Sequence, residues 1–296
     1  MSSFAFEPTH SVSSSAQELQ LSKGQDYAIS GHFKDENSGE EFDWIALFDG
    51  HGGDETIAKI RSLDLGPIFA TNDPPKTLQD LLVNEKVVGF TPWGTIKMSG
   101  ATMCLAKIYK DRIVCFAVGD SELYVYEDGV KVFSHEHHNW DNLAERDRLK
   151  EVDPKIYASP SRSFEVVSPS LLNPTSPYYV YYPGGNSLAL TQAIGHNNIT
   201  GLRPEVAEIP IRPGKSYRIF MASDGVFDML MPSEQELFGV NRSCDEVISF
   251  AEGRWKQIWD QADSNDLTKG LDKPLQFTKS EQFDDLSVVI ADVVPI

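Results

Sequence analysis

Short apolar runs, many of them bounded by glycine or aspartate, recur along this chain and constrain its fold more than any other feature. They occupy residues 44–48, 101–108, 112–118, 123–126, 218–221 and 286–294. Runs this short between turn-forming residues are typical of β-strands. Glu127, Asp128 and Gly129 form a turn sequence between Tyr126 and Val130, which predicts an antiparallel hairpin there. The chain is therefore expected to contain antiparallel sheets.

Helical periodicity is found in two other stretches, residues 54–63 and residues 243 to about 262. In the second stretch the following residues fall on one face: Val247, Ile248, Ala251, Trp255, Ile258, Trp259 and Ala262. A serine followed three residues later by glutamate is a capping box, and this pair occurs at Ser243 and Glu246 and again at Ser233 and Glu236. We expect these helices to cover a sheet.

Composition narrows the class of protein. Hydrophobic residues make up 41% of the 296 residues, which is ordinary for a folded globular chain. The chain has 26 basic and 44 acidic residues and a formal net charge of −18, which argues against a nucleic-acid partner. The three cysteines lack the spacing of a zinc site or a disulfide framework. The N-terminus lacks the pattern of a secretory signal and no long apolar run occurs, so we expect a soluble, cytoplasmic or nuclear protein with no membrane partner.

Domain organisation follows from the same patterns. Residues 1–20 are serine-rich and are expected to form a flexible tail or an edge strand. Residues 21–296 are expected to form a single domain, with a long surface excursion over about 153–186, where Pro, Ser and Tyr are frequent.

Four aspartates stand at the ends or starts of apolar runs, where strands would deliver their side chains to the edge of a sheet: Asp49, Asp120, Asp224 and Asp284. Taken singly, an aspartate–glycine pair after a strand usually marks only a turn. Several carboxylates gathered at one edge would repel one another, so they suggest a divalent cation as the missing partner. Ligation by oxygen alone favours Mg²⁺ or Mn²⁺ over Zn²⁺.

Together these aspartates and their neighbours resemble the landmarks of a known family, the type 2C metal-dependent protein serine/threonine phosphatases (the PPM family). The landmarks occur in the family's order: Gly24-Gln25-Asp26, Phe48-Asp49-Gly50-His51-Gly52-Gly53, Ser99-Gly100-Ala101-Thr102, Val118-Gly119-Asp120-Ser121, Ala222-Ser223-Asp224-Gly225-Val226-Phe227-Asp228 and Asp284-Asp285-Leu286-Ser287. The resemblance spans residues 22 to 294, nearly the whole chain. It implies an α/β fold of layered α+β type, in which two antiparallel sheets form a β-sandwich flanked by helices.

The resemblance also implies a metal centre with two Mn²⁺ or Mg²⁺ ions and a weaker third. The ligands it implies are Asp49 and the Gly50 carbonyl, Asp224 and Asp284 for the first ion, Asp26 with Asp49 for the second, and Asp120 with Asp224 for the third. The implied reaction is direct attack of a metal-bridging hydroxide on a phosphoserine or phosphothreonine monoester of a phosphoprotein. We expect the protein to act as a monomer.

His51 stands where the family has a general acid, which would protonate the leaving alkoxide. An alternative role for His51 is to orient a water molecule or a carboxylate without exchanging a proton. His135, His137 and His138 form a second group of histidines, for which a zinc site is an alternative. They lie ahead of a short helix expected over residues 145–152 and lack a second pair of ligands at zinc spacing.

Departures from the family pattern concern substrate contacts more than metal ligands. Lys23 stands where an arginine often grips the phosphate, and Gln25 replaces a common acid. Gln192 and His196 replace an arginine and an aspartate, and Asp285 replaces an asparagine. These differences support an alternative function, a catalytically weak or inactive relative that serves as a binding or scaffold module.

Overall fold

The computed structural model of the chain describes residues 10–21, 23–87, 89–90, 96–160, 166–168, 178–183, 186–263, 266–278 and 283–296. Its strands, in chain order, are β1 (His10–Leu19), β2 (Asp26–Lys34), β3 (Glu41–His51), β4 (Gly89–Phe90), β5 (Ile96–Lys97), β6 (Gly100–Ala101), β7 (Met103–Ile108), β8 (Arg112–Val118), β9 (Glu122–Glu127), β10 (Val130–Ser134), β11 (Tyr157–Pro160), β12 (Val166–Ser168), β13 (Tyr178–Tyr182), β14 (Asn186–Leu188), β15 (Ile194–Gly195), β16 (Glu205–Pro210), β17 (Tyr217–Ala222), β18 (Ile258–Asp263), β19 (Asp266–Gln276) and β20 (Leu286–Pro295). The helices are α1 (Glu55–Arg61), α2 (Leu65–Phe69), α3 (Pro74–Asn84), α4 (Leu143–Val152), α5 (Asp224–Phe227), α6 (Pro232–Asn241) and α7 (Cys244–Lys256), with a 3-10 turn at His196–Asn198.

Two antiparallel sheets pack face to face. One has the order β1-β20-β17-β9-β10, and the other has the order β15-β6-β3-β7-β8-β16 with β2 paired to β3. Alternate residues of both sheets point inward and bury their apolar side chains against each other, among them Ile45, Ala106, Val125, Ile219 and Val289. The predicted strands and the predicted β-sandwich are confirmed.

Helices cover both outer faces of the sandwich. Helices α1, α2 and α3 pack on the seven-stranded sheet, where Trp44 and Leu105 meet Ile60, Phe69 and Leu78. Helices α5, α6 and α7 pack on the five-stranded sheet through residues that include Val226, Phe238, Val247 and Trp255. The core therefore has three apolar layers, and the predicted α/β fold class is confirmed. No helix within the described residues is both long and apolar enough to cross a membrane.

The hairpin between β9 and β10 has the predicted turn. Glu127 pairs with Val130, and Asp128 and Gly129 both have positive φ angles, 48° and 79°. Two positive φ angles in a two-residue loop match the right-handed twist of the flanking strands.

The two segments expected to be irregular contribute strands where the structure describes them. β1 pairs along its whole length with β20, at the edge of the five-stranded sheet. Within the excursion predicted over 153–186, β11, β13 and β14 form a small sheet that packs on α4, and β12 pairs with β18. Residues 1–9, 161–165, 169–177 and 184–185 lie outside the described part of the chain.

The predicted end of the long helix was wrong. Helix α7 ends at Lys256, and Ile258 and Trp259 pair with Gln276 and Leu275 in an antiparallel ladder. The apolar repeat continues through this point, with Trp259 buried and Ile258 exposed in β18, so periodicity alone did not mark the change.

Of the two predicted capping boxes, one is confirmed. Ser243 Oγ accepts from the Glu246 amide and the Glu246 carboxylate accepts from the Ser243 amide at 2.9 Å. The box predicted at Ser233 and Glu236 was wrong, because α6 begins at Pro232 and the Met231 amide donates to Glu234 at 2.8 Å. Proline is favoured in the first helical turn because its missing N–H is not needed there.

Candidate metal centre

The candidate acids lie at one end of the sandwich because the strands that carry them end or begin there. Asp26 opens β2 directly opposite Asp49 near the end of β3. Asp120 lies between β8 and β9, Asp224 follows β17, and Asp284 precedes β20. The ladders place these strand ends side by side, since Ala222 at the end of β17 pairs with both Glu122 and Val288. The two sheets thus deliver these acids to the same edge.

Electrostatic interactions show that the structure brings these carboxyl groups together. Burial, with added repulsion from Asp224, raises the pKa of Asp26 to about 8, of Asp120 to about 7 and of Asp284 to about 6. The same causes raise the pKa of Asp49 well above its usual range. Because the charge of Asp224 acts on every other member, Asp224 is the centre of the cluster.

The donor set fits a hard divalent cation. All the gathered groups are oxygen donors, and Oδ2 of Asp26 is buried without a hydrogen-bond partner among the described residues. Within the same residues, no group of three or more His, Cys, Asp or Glu side chains is arranged closely enough to hold a metal ion. An ion bound here would therefore need backbone oxygens or water molecules as well, which is usual for Mg²⁺.

Asp228 belongs to the same cluster, although the sequence analysis assigned it no role. It lies one helical turn after Asp224, and burial together with repulsion from Asp224 and Asp120 raises its pKa well above the usual range. The four-residue spacing within a short helix was the signal that placed both carboxylates on one face.

Asp285 has a positioning role that the sequence did not disclose. Its carboxylate is buried and accepts hydrogen bonds from the backbone amides of Lys23 at 3.2 Å and Gln25 at 2.9 Å. The extra acid therefore holds the loop that carries Lys23 and leads into Asp26.

Lys23 supplies positive charge at the cluster. Its Nζ lies 3.2 Å from Oδ1 of Asp284. Burial opposes the charge on Lys23, but the attraction of Asp284, Asp224 and Asp49 outweighs it and raises the pKa of the amine. The side chain is 47% exposed, so it also faces solvent at the edge of the site.

Gly50 is required by packing. A Cβ atom there would lie 2.4 Å from the Ile57 side chain and 2.6 Å from the Gln25 carbonyl, which accepts a hydrogen bond from the Gly50 amide at 3.0 Å. This contact joins the end of β3 to the loop before Asp26 and to α1.

His51, the last residue of β3, contacts His196 across the site. The two Nε2 atoms are 2.7 Å apart, and the ring centroids are 4.7 Å apart, so the rings meet at their edges. Burial lowers the pKa of His196 to about 4, and burial together with the nearby His196 ring lowers the pKa of His51 well below its usual value. The sequence did not predict this pairing.

Gln192 is satisfied by contacts within the protein. It is fully buried, donates from Nε2 to Glu145 at 2.8 Å and accepts from the Arg203 amide at 2.8 Å. Arg148 of α4 forms an ion pair with the same Glu145 and also donates to the Thr191 carbonyl at 2.8 Å. Arg148 thus brings an arginine from α4 to the loop that contains Thr191 and Gln192.

The three neighbouring histidines hold the turn that carries Asp120. His135 bonds the Gly119 carbonyl through Nε2 at 3.0 Å and Glu205 through Nδ1 at 2.8 Å. The Gly119 amide donates to Nδ1 of His138 at 3.0 Å. His137 bonds Glu122 at 2.6 Å. Each ring thus has its own partner, which accounts for these residues without the alternative zinc site.

Solved structures with similar folds include several phosphatases. A serine/threonine phosphatase of S. agalactiae superimposes with a TM-score of 0.56 at 17% identity, covering 95% of this chain and 99% of that one. The catalytic domain of the serine/threonine protein phosphatase PstP, solved in complex with two manganese ions, gives a TM-score of 0.52 at 15% identity over 96% and 98%. A sex-determining protein of C. elegans gives a TM-score of 0.53 at 18% identity over 96% of this chain, which spans 64% of that protein.

At these identities the structural likeness establishes the fold alone, and no curated protein matches the sequence. The family model described as protein phosphatase 2C matches residues 11–247, which is most of the chain. The match includes the segments that carry Asp26, Asp49, Asp120 and Asp224, and the order of the sheets agrees with the fold that their sequence landmarks implied. The chain therefore belongs to the protein phosphatase 2C family.

Proposed function

We propose that this chain is a metal-dependent protein phosphatase that hydrolyses phosphoserine and phosphothreonine monoesters, acting as a monomer on phosphoprotein substrates. The observation that carries the proposal is the gathering of Asp26, Asp49, Asp120 and Asp284 around Asp224. Such a concentration of buried negative charge is unfavourable unless cations neutralise it.

The residues that would hold the ions are those named from the sequence. Asp49, the Gly50 carbonyl, Asp224 and Asp284 would hold one Mg²⁺ or Mn²⁺, and Asp26 with Asp49 a second. Asp120 and Asp224, with Asp228 beside them, would hold a weaker third. The two manganese ions of the PstP structure support the choice of metal. Bound ions would lower the pKa of water and orient the oxygens of the phosphate ester.

Side chains of the protein would carry out the remaining steps. Lys23, partly exposed beside Asp284, would attract the phosphate as a point charge. His51 would donate a proton to the ester oxygen as its bond to phosphorus breaks, which releases the serine or threonine hydroxyl. The alternative role of His51, the orientation of a water molecule, requires no proton transfer to the leaving group.

Phosphate release from a phosphothreonine peptide with added Mn²⁺ tests the proposal. The wild type should turn over, and Asp49→Asn and Asp224→Asn should each lose both turnover and Mn²⁺ binding by calorimetry. Asp111→Asn is the matched control, because Asp111 is exposed in the turn between β7 and β8 at the other end of the sandwich. A wild type that binds no Mn²⁺ and releases no phosphate would favour the scaffold alternative.

A further inference from the structure

The backbone that carries His196 has an uncommon conformation. His196, Asn197 and Asn198 have consecutive positive φ angles of 45°, 49° and 62°, and they follow Gly195 at 87°. Left-handed backbone is unfavourable for residues other than glycine, although asparagine tolerates it better than most. Strain of this kind persists only where the surrounding structure imposes it, and it is concentrated at functional sites.

Contacts with α3 and with the segment before β6 impose this conformation. The Gly195 amide donates to Gln79 Oε1 at 2.7 Å, and Gln79 Nε2 donates back to the Gly195 carbonyl at 3.1 Å. The His196 amide donates to the Ser99 carbonyl at 2.8 Å. Gln79 and Ser99 are both buried, so these bonds are shielded from water. The turn is therefore fixed from two sides.

Space for the His196 ring exists because residue 100 is glycine. A Cβ atom on Gly100 would lie 2.2 Å from Cδ2 and 2.3 Å from Nε2 of His196. Such separations are impossible for real atoms, so any side chain at this position would displace the ring. The left-handed turn and the missing side chain both direct the His196 ring to one place.

That place is against His51. The Nε2 atoms of the two rings are 2.7 Å apart, so one ring donates a hydrogen bond and the other accepts it, and the two rings meet edge to edge with their planes 28° apart. His196 is 2% exposed and supports His51 from the protein side. Rotation of the His51 ring would break this hydrogen bond.

We propose that His196 is a positioning residue that fixes the orientation of the His51 imidazole on the leaving-group side of the site. This inference rests on the proposed function. It assigns His196 a role at a position where the type 2C pattern has an aspartate. A neutral imidazole can orient His51 through one hydrogen bond, as a carboxylate could, but adds no negative charge to a site already crowded with carboxylates.

Three substitutions separate the hydrogen bond from the volume of the ring. His196→Phe keeps an aromatic ring to fill the space but has no hydrogen-bonding atom. His196→Gln can place an amide near the position of Nε2 and so keeps a partner for His51. Asn198→Gly is the matched control, because Asn198 is exposed and glycine adopts its left-handed backbone without strain.

Comparing kcat on two substrates distinguishes a positioning role from a merely structural one, which would change kcat on both substrates equally. An alkyl ester such as phosphothreonine needs protonation of its leaving oxygen, whereas p-nitrophenyl phosphate has a weakly basic leaving group that does not. We expect His196→Phe to lower kcat on a phosphothreonine peptide about 10- to 100-fold with KM unchanged, and kcat on p-nitrophenyl phosphate less than about threefold. His196→Gln should keep most of the peptide activity, and Asn198→Gly all of it.

A second readout does not depend on turnover. Proton NMR of the wild type should show a downfield imidazole N–H signal that disappears in both His51→Phe and His196→Phe. Equal losses of kcat on both substrates, or no loss on either, would overturn the positioning role. If the wild type hydrolyses neither substrate, the proposed function fails. The NMR signal then decides by itself whether a hydrogen bond connects His51 and His196. If His196→Phe does not fold, His196→Gln tests the proposal instead. Equal losses of kcat for this variant on the peptide and on p-nitrophenyl phosphate would contradict the proposal.

Discussion

Asp26 and Asp49 are direct partners in the antiparallel ladder of β2 and β3, so two buried carboxyl groups lie on the same face at one edge of the sheet. Asp224 adds a third charge from the opposite sheet. This arrangement makes the stability of the protein depend on pH, on added metal ions and on the charge of each acid in the cluster.

The metal-free protein should lose stability as the pH rises. Asp26 and Asp120 have pKa values raised from 3.8 to about 8 and about 7. Between pH 4 and these values the folded state keeps protons that the unfolded state has lost, so the free energy of unfolding falls with increasing pH. Thermal melting in EDTA should show the fall, and excess Mn²⁺ should reduce it. A flat profile in EDTA would contradict the raised pKa values.

Asp224→Asn should stabilise the metal-free protein while it abolishes activity. The substitution removes the charge that repels every other acid of the cluster, and each pKa unit relieved in a neighbour is worth about 1.4 kcal/mol. We expect a gain of about 1–2 kcal/mol in the free energy of unfolding by urea in EDTA. Asp111→Asn, the exposed control, should change stability by less than about 0.5 kcal/mol. Destabilisation by Asp224→Asn in EDTA would argue against repulsion at this site.

Asp285→Ala should be strongly destabilising. The carboxylate accepts the amides of Lys23 and Gln25, and its loss would leave both donors without an acceptor. An unsatisfied buried donor costs about 1–3 kcal/mol, so the total should be about 2–4 kcal/mol by urea unfolding. The two amides bond different oxygens of Asp285, so Asp285→Asn keeps one of the two hydrogen bonds and should cost about half of that. Equal costs for the two variants would show that charge matters more than hydrogen bonding.

Lys23→Ala should weaken substrate binding. With the ammonium group removed, the phosphate would lose a point charge at the edge of the site. We expect KM for a phosphothreonine peptide to rise about 5- to 10-fold, with a smaller effect at high salt because exposed charges are screened there. Steady-state kinetics at two salt concentrations measure this. An unchanged KM would mean that Lys23 serves only its ion pair with Asp284.

Gly100→Ala should reproduce the effect of losing His196. The added methyl group would overlap the His196 ring and push it away from His51. We expect kcat on a phosphothreonine peptide to fall about tenfold or more, with a smaller effect on p-nitrophenyl phosphate. Gly253→Ala is the control, since a Cβ atom there meets nothing within 4 Å and should stabilise α7 by about 0.5–1 kcal/mol. The same activity in both variants would contradict the packing argument.

The sequence was sufficient for the strands that contain continuous apolar runs, for the sandwich through the family resemblance, and for the gathered acids other than Asp228. Strand positions were predictable because their burial requires apolar runs, as at residues 44–48 within β3. The acids were predictable because Asp49, Asp120, Asp224 and Asp284 stand where such runs begin or end.

Features that depend on contacts between distant segments could not be predicted. His51 and His196 are 145 residues apart, and their contact depends on the backbone of Gly195 and the missing side chain of Gly100. The role of Asp285 depends on amides 260 and 262 residues away. The end of α7 depended on the pairing of Ile258 with Gln276, which competes with helix propagation.

The packing of the two sheets has one more consequence. Asp49 comes from the seven-stranded sheet and Asp224 from the five-stranded sheet, so the distance between them is set by the thickness of the apolar layer that separates the sheets. Substituting a larger or smaller side chain for Ile45 or Ile219 would change this spacing without touching either acid. The inner residues of the sandwich therefore set the separation of the two acids, so a change in their size would alter activity as well as stability.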